Sequence, residues 1–371
     1  MNSLGFNKKE KDTKVVVAMS GGVDSSVAAV LLHEQGYDVI GITLQLYDLG
    51  EALKKKNACC AGVDIYDAKK VAEKFGFPHY VLNYQNLFQE SVIEDFMDSY
   101  MAGETPIPCV KCNQSVKFRD LMKVARDLGA DCMATGHYVQ RKLGADGKSQ
   151  LHKAFDDDKD QSYFLFATTS AQLDFLRFPL GGNSKEQTRK EALRLGLEVA
   201  NKPDSQDICF VPGGDYAAVI KARRPSAFKT GNLVHIKSGK ILGQHDGIIN
   251  FTLGQRRGLG IAYPTPLYVI KIDAKENIVF VGEEEFLGNK KFIIKDINWL
   301  AGDYDLSVEV SACVRLRSNQ EEVPAKIKFI SREVAEVEMK DMTRAITPGQ
   351  ACVAYVDDRI LGGGWISREI K

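Results

Sequence analysis

No stretch of this 371-residue chain is apolar for long enough to span a bilayer, and residues 1–14 (MNSLGFNKKEKDTK) lack the apolar centre of a secretory leader. Both absences point to a soluble protein of the cytoplasm, with no membrane partner. Net charge is missing too: 49 Lys and Arg balance 49 Asp and Glu, so any RNA contact must come from local patches rather than a global field. Histidine is scarce, at six and without ligand spacing. The single Cys-x-x-Cys at Cys109–Cys112 has no second copy, which leaves a tetrahedral zinc site two ligands short. Tandem repeats and low-complexity tracts are absent. What is present is ordinary for a globular chain, with 44% hydrophobic and 26% charged residues and length for two or three domains. Eight cysteines without a leader favour thiol or metal chemistry over a disulfide framework.

The most informative stretch is residues 15–32, VVVAMSGGVDSSVAAVLL. Three valines, Ala18 and Met19 read as a buried strand, Ser20-Gly21-Gly22 as a tight turn, and the apolar run from Val27 as a helix. A helix opening straight after a glycine turn presents backbone amides, its dipole and the hydroxyls of Ser20, Ser25 and Ser26 to an anion, and phosphate is the expected one. The Walker Gly-Lys-[Ser/Thr] and the GxGxxG spacing are both lacking. Asp24 inside the turn implies a metal ion between acid and phosphate. A plain strand–turn–helix without ligand is the bland alternative. The block SGGVDSS resembles the pyrophosphate loop of the N-type ATP pyrophosphatases, which split ATP into AMP and pyrophosphate while activating an oxygen as its adenylate.

Along the chain, a strand is expected over residues 37–46, with Leu44 near its end and placed to meet an adenine ring. A helix over 67–75 stopped by Gly76 and a strand over 79–82 follow. That βαβα order predicts a parallel sheet. Lys54-Lys55-Lys56 and Cys59-Cys60 read as a solvated loop. Pro106 and Pro108 predict extended chain, with Asn113 capping the next helix and Cys112 just outside its N-terminus beside Lys111 and Lys117. Lowering a thiol from about 8.5 to about 7 takes roughly 2 kcal/mol, which a helix terminus and a lysine can supply. The position therefore suits a reactive thiolate; structural zinc and a redox dithiol are the other readings of the pair. Cys132 reads as core filler, Gly136 as a point of close approach to a nucleotide, and His137 as either a phosphate contact or a satisfied structural histidine. Residues 139–155 read as a hairpin, 156–161 as an exposed loop, and Ser184-Lys-Glu-Gln187 as a capping box. Cys209 stands on a polar, proline-bounded loop, where Asp204 and Asp207 would raise a plain thiol but disfavour a persulfide less. Beyond Arg223-Arg224-Pro225, read as a linker, short glycine-punctuated β runs suggest a small β-barrel. The arginine pairs 223/224, 256/257 and 315/317 are candidate phosphate contacts.

Taken together, SGGVDSS, TPIPCVKCN, ATGHY, KDQSYFL, DSQDICF, FTLGQRRGLGI, TPGQACVAY and LGGG make nearly the whole chain resemble the tRNA-specific 2-thiouridylases. The resemblance implies an α/β, parallel-sheet ATP pyrophosphatase domain (adenine nucleotide alpha hydrolase-like, 1–221), a central β domain (222–287) and a C-terminal tRNA-contacting β-barrel (288–371). It implies ATP binding by Ala18, Met19, Ser20, Gly21, Gly22, Val23, Asp24, Ser25, Leu44 and Gly136, with Mg²⁺. Cys112 matches the family nucleophile and Cys209 the persulfide carrier, the two closing a redox disulfide. Ile107, Pro108 and Cys109 fall where the target base is approached, and Lys159, Asp160, Gln161, Arg315 and Leu316 where tRNA is contacted. The implied reaction is wobble 2-thiouridine formation in tRNA(Lys), tRNA(Glu) and tRNA(Gln) by a monomer fed by a persulfide sulfur-carrier protein. Many family members carry Asp, assigned acid/base work, where this chain has Cys109. Cysteine there makes Cys109, Cys112 and Cys209 candidate ligands of an iron–sulfur cluster as an alternative sulfur source. Two rivals remain: a glutamine-dependent amidase-type ligase using the same loop, and an RNA-binding module with a vestigial loop.

Overall fold

The computed structural model describes residues 1–46, 62–203, 208–344 and 346–370. Lys54, Lys55, Lys56, Cys59, Cys60, Asp204 and Asp207 lie outside them. Among the described residues no helix is long and apolar enough to cross a membrane. The chain forms two compact units, one of Met1–Val92, Cys109–Gly213 and Asp357–Ile360, the other of Ile93–Pro108, Gly214–Val356 and Leu361–Lys371.

In the first unit β1 (Lys14–Ala18), β2 (Asp38–Gln45), β3 (His79–Asn83), β4 (Cys132–Thr135) and β7 (Leu176–Arg177) make a parallel sheet in the order β3-β2-β1-β4-β7. Val15, Val16 and Val17 are fully buried because both faces of the sheet are covered. Helix α1 (Val23–Glu34) is buried nearly all round, which is why its sequence shows no polar stripe. After β1 the chain moves outward through β2 and β3, then returns to the other side of β1 as β4. The strand order therefore reverses between β1 and β4, and a ligand crevice belongs at their carboxyl ends. A hairpin of β5 (Gln140–Leu143) and β6 (Ser149–His152) follows β4, as its turn residues predict.

The second unit holds a four-stranded sheet and a barrel. β8 (Gly231–His235), β9 (Ile241–His245), β10 (Tyr268–Asp273) and β11 (Ile278–Gly282) order as β10-β11-β8-β9, with only β11–β8 parallel. β12 (Gly288–Trp299), β13 (Val310–Arg315), β14 (Val323–Phe329), β15 (Val334–Arg344), β16 (Ala351–Val356) and β17 (Arg359–Ile370) form the barrel, closed where β12 pairs β17. Its interior is lined by Phe292, Ile294, Val314, Ile327, Val337 and Cys352, alternate residues of their strands. The Arg223–Arg224–Pro225 stretch is not a bare linker. Arg223 ends the helix Tyr216–Arg223, and Arg224 is bound by Glu94 and Asp98.

Candidate functional site

The turn after β1 is shaped by its own serines. Ser25 Oγ accepts from Ser20 N–H at 3.0 Å and donates to Gly22 O at 3.2 Å, while Ser26 Oγ donates to Gly22 O at 2.9 Å. Gly21 sits at φ +75°, and a Cβ there would lie 2.0 Å from the Asp64 carbonyl oxygen. Gly22 caps α1 in an extended conformation with no side-chain acceptor, leaving first-turn amides to an anion. Leu44, half-buried near the end of β2, opens on the same sheet edge.

The acid of the turn is already paired. Lys185 Nζ stands 2.7 and 2.8 Å from the two Asp24 carboxylate oxygens, and the Tyr138 hydroxyl donates to Asp24 at 2.9 Å. Tyr138 also lies 2.8 Å from the buried Thr188 hydroxyl. Lys185 and Thr188 share the helix Lys185–Arg194, whose capping box forms as its sequence predicts. A second cation, Lys202, donates to Gly21 O at 3.1 Å, to Asp64 at 2.5 Å and to Asp67 at 2.7 Å. Burial opposes its charge, but the two carboxylates hold its pKa above the usual lysine value. None of Tyr138, Lys185, Thr188, Lys202, Asp64 and Asp67 stood out as a site residue in the sequence. Lys185 read only as part of a helix start.

Gly136 follows β4 and lies against α1. A Cβ there would come 2.7 Å from Ser25 N and 2.8 Å from the Asp24 carbonyl carbon. The close approach is to the backbone of the loop's own helix. Gly136→Ala should therefore cost roughly 2 kcal/mol or more through backbone displacement; a thermal midpoint unchanged from wild type would refute the contact. His137 resolves as a structural histidine. Its Nδ1 bonds Thr135 Oγ1 at 2.9 Å, and the protein packed around its ring pulls its pKa down to about 3, so it stays neutral.

The expectation for Cys112 needs correction. The helix does not begin at Asn113. It begins at Pro108 and runs through Pro108–Lys111, a π-helical Cys112–Leu121 and Met122–Asp127. Proline suits a first helical position because the amide it lacks has no partner there. Asn113 instead donates to Phe164 O at 3.3 Å and accepts from Lys117 Nζ at 3.1 Å. Cys112 therefore lies inside the helix, only 8% exposed, and burial pushes its thiol up to about 11 against the smaller downward pull of Lys117. The charges of Cys209 and Cys109 push it further the same way, so the three sulfurs are electrostatic neighbours. Cys109 is exposed and Cys209 half-buried, and none of the three is in a disulfide. Phe210 packs edge-on against Phe88 at 5.8 Å, which ties the Cys209 loop to the unit. Among the described residues no three His, Cys, Asp or Glu are grouped to hold a metal ion. The cysteines as placed do not fit a three-ligand iron–sulfur site. Cys132 is wholly buried in the core, as expected.

The expected RNA-facing residues have other partners. Asp160 accepts from Ala154 N, Ser162 N and Ser162 Oγ, and Gln161 accepts from Tyr138 N at 2.9 Å. Both fasten the loop that also carries the half-buried Lys159. Arg315 pairs with Glu322 at 3.0 Å and lies over the Tyr355 ring; the Leu316 side chain is in the barrel core. Ile107 and Pro108 are buried.

Three family models match in succession: tRNA methyl transferase HUP domain over residues 13–213, tRNA methyl transferase PRC-barrel domain over 218–283, and aminomethyltransferase beta-barrel domain over 289–366. The tRNA-specific 2-thiouridylase MnmA of Rickettsia conorii is 58% identical over 366 residues, 99% of this chain and 98% of its own. That of Rickettsia felis is also 58% identical, over 99% of this chain and all of its own. A solved 4-thiouridine synthetase–RNA complex with bound ATP aligns with 58% of this chain and 51% of its own at a TM-score of 0.35 and 18% identity, a likeness too loose to argue from. On identity at this level along its full length, the chain belongs to the tRNA-specific 2-thiouridylase family.

Proposed function

We propose that this protein is an ATP-dependent tRNA sulfurtransferase that forms 2-thiouridine at the wobble position of tRNA(Lys), tRNA(Glu) and tRNA(Gln). MgATP is bound as a substrate at the turn of Ser20–Ser26, with Gly21 and Gly22 giving the triphosphate access to the α1 amides. The target base is extruded from its stack, since its carbonyl is otherwise out of reach. Its 2-oxygen attacks the α-phosphate, the bond to the β-phosphate oxygen breaks, and pyrophosphate leaves. The terminal sulfur of a Cys209 persulfide then bonds to carbon 2 and AMP departs. The Cys112 thiolate attacks Cys209 Sγ, and the electron pair of the broken S–S bond stays on the base as its thiocarbonyl. Two thiols are thereby oxidised to a Cys112–Cys209 disulfide, which an external thiol reductant reopens. The sulfur arrives from a persulfide-bearing carrier protein, and the chain works as a monomer in the cytoplasm. Its three functional parts are a catalytic domain over 1–221, a central β domain over 222–287 and a tRNA-contacting barrel over 288–371, with Ile107, Pro108, Cys109, Lys159, Asp160, Gln161, Arg315 and Leu316 bordering the RNA.

What carries the reading is the 58% identity, along nearly the whole chain, to relatives named tRNA-specific 2-thiouridylases, with Cys112 and Cys209 both in the unit that holds the pyrophosphatase loop. The cluster alternative on Cys109, Cys112 and Cys209 draws no support from the arrangement of their thiols. Incubation with MgATP, tRNA and a persulfide donor should yield 2-thiouridine with AMP and pyrophosphate in about equal amounts. ATP cleavage without thiolated base, with intact tRNA and donor, would overturn the proposal.

A further inference from the structure

Lys202 stands beside the ATP turn, yet no step of the proposed reaction uses it. Its Nζ donates to Gly21 O at 3.1 Å, to Asp64 at 2.5 Å and to Asp67 at 2.7 Å. Asp64 and Asp67 lie three residues apart in the helix Gly62–Phe75, so one face of its first turns carries both carboxylates. Burial opposes the ammonium charge, but the two acids hold its pKa above the usual lysine value, so it stays charged at neutral pH. The backbone that carries it is fixed as well. Lys202 N–H donates to Val199 O at 3.0 Å, and Arg189 donates to Ala200 O at 3.0 Å and to Lys202 O at 3.4 Å. Val199 and Ala200 belong to the same buried core as Val15, Val17 and Val23. Arg189 lies on the helix Lys185–Arg194, whose Lys185 binds Asp24. One helix thus supports the cation on Asp24 and the cation on Gly21.

What Lys202 holds is the peptide between Gly21 and Gly22. A peptide flanked by two glycines meets little steric resistance to rotation, and Gly21 sits at φ +75°. The bond is trans, so its N–H points opposite its C=O. With the carbonyl turned to the ammonium, the Gly22 N–H faces away from it. Among the described residues that N–H has no acceptor. Turned through half a rotation, the same peptide would offer a phosphate an oxygen in place of a donor. We infer that Lys202 is a positioning residue of the ATP turn, locking the Gly21 carbonyl so that the Gly22 amide is presented to the triphosphate. The inference deepens the reading of Ser20–Ser26 as the ATP turn and rests on it. Asp64 and Asp67 keep the ammonium beside the carbonyl, through charge-assisted hydrogen bonds that compete with any phosphate for it.

The test is equilibrium dialysis of the full-length protein against labelled MgATP and, separately, labelled adenosine, with the thermal midpoint of each variant. Lys202→Met should raise the dissociation constant of MgATP about tenfold and leave that of adenosine within about twofold. General loosening of the site would weaken both ligands alike. Lys202→Met takes this cation from two carboxylates, so the same change combined with Asp64→Asn and Asp67→Asn serves where the single variant does not fold. The triple variant should melt close to wild type and still bind MgATP about tenfold more weakly. Recovery of MgATP affinity there would show that Lys202 only neutralises the acids, and would overturn the inference. So would an equal loss for adenosine, or unchanged MgATP affinity in folded Lys202→Met. Asp64→Asn with Asp67→Asn, keeping Lys202, should weaken MgATP about threefold. Tighter binding would mean that the released ammonium takes the phosphates directly, and the positioning role would fall. If the wild-type protein itself does not take up MgATP, the ATP reading fails and the positioning role with it, an outcome distinct from any seen only in the variants.

Discussion

Cys112→Ser is expected to lower 2-thiouridine formation by at least about 10³-fold while leaving tRNA affinity within about twofold, because serine cannot complete the sulfur-releasing attack on Cys209. The thiol's own titration makes a second, sharper expectation. Burial raises the pKa of Cys112 to about 11, so in the free protein it is protonated at neutral pH. Its thiolate fraction at pH 7 is about 10⁻⁴, against a few per cent for an exposed cysteine. Alkylation of Cys112 should therefore climb about tenfold per pH unit from pH 8 to 10, where an ordinary thiol is already levelling off. The same protein unfolded in denaturant, with its thiols exposed, serves as the reference. A Cys112 profile that flattens below pH 9 would refute its burial. The proposed chemistry requires the thiolate, so bound tRNA should move the Cys112 profile downward. A thiol held neutral until substrate arrives is also protected from oxidation, which follows thiolate character and exposure.

Lys185→Met should be nearly as damaging, through the ATP turn. The side chains of Lys185 and Asp24 are 11% and 31% exposed, so removing the ammonium leaves a largely desolvated carboxylate facing the triphosphate. A fully buried pair broken this way costs about 3–5 kcal/mol; the partial exposure of Asp24 reduces the expectation to roughly 2 kcal/mol of stability. Pyrophosphate release should fall by about 100-fold, since an unpaired acid repels the incoming phosphates. Adding Asp24→Asn to Lys185→Met should recover most of the stability and little of the activity. A single variant with wild-type melting and wild-type pyrophosphate release would show that the pair is incidental. Lys202 offers no substitute, because it is engaged by Gly21, Asp64 and Asp67.

Much of the site was legible where the signal was local. Valines in a row, a glycine turn and an apolar helix start specify β1, the loop and α1 within 20 residues of chain. The capping box at Ser184 and Gln187 forms as written because its partners are three residues apart. The failures share a different feature. Asn113 looked like a helix cap, but Pro108 starts the helix, since a proline that forbids helix in mid-run is acceptable in its first turn. The ion-pair partner of Asp24, Lys185, comes from a helix far along the chain that no local pattern announces. Nor does any local pattern show that Arg315 pairs with Glu322.

The amino-acid sequence by itself determined the candidate set: a glycine turn opening a helix without a Walker lysine, and cysteines standing in polar, proline-marked segments. It also determined the parallel sheet and the β-rich second half, because strand periodicity and turn residues act over a few positions. Tertiary structure alone decided the state of those groups. Whether a thiol is charged depends on how much protein surrounds it, and whether an acid is free depends on which distant cation arrives beside it. The excursion of Ile93–Pro108 into the second unit belongs to the same class, for it is fixed by contacts with Tyr216, Ile272, Pro348 and Arg368 that no local pattern announces.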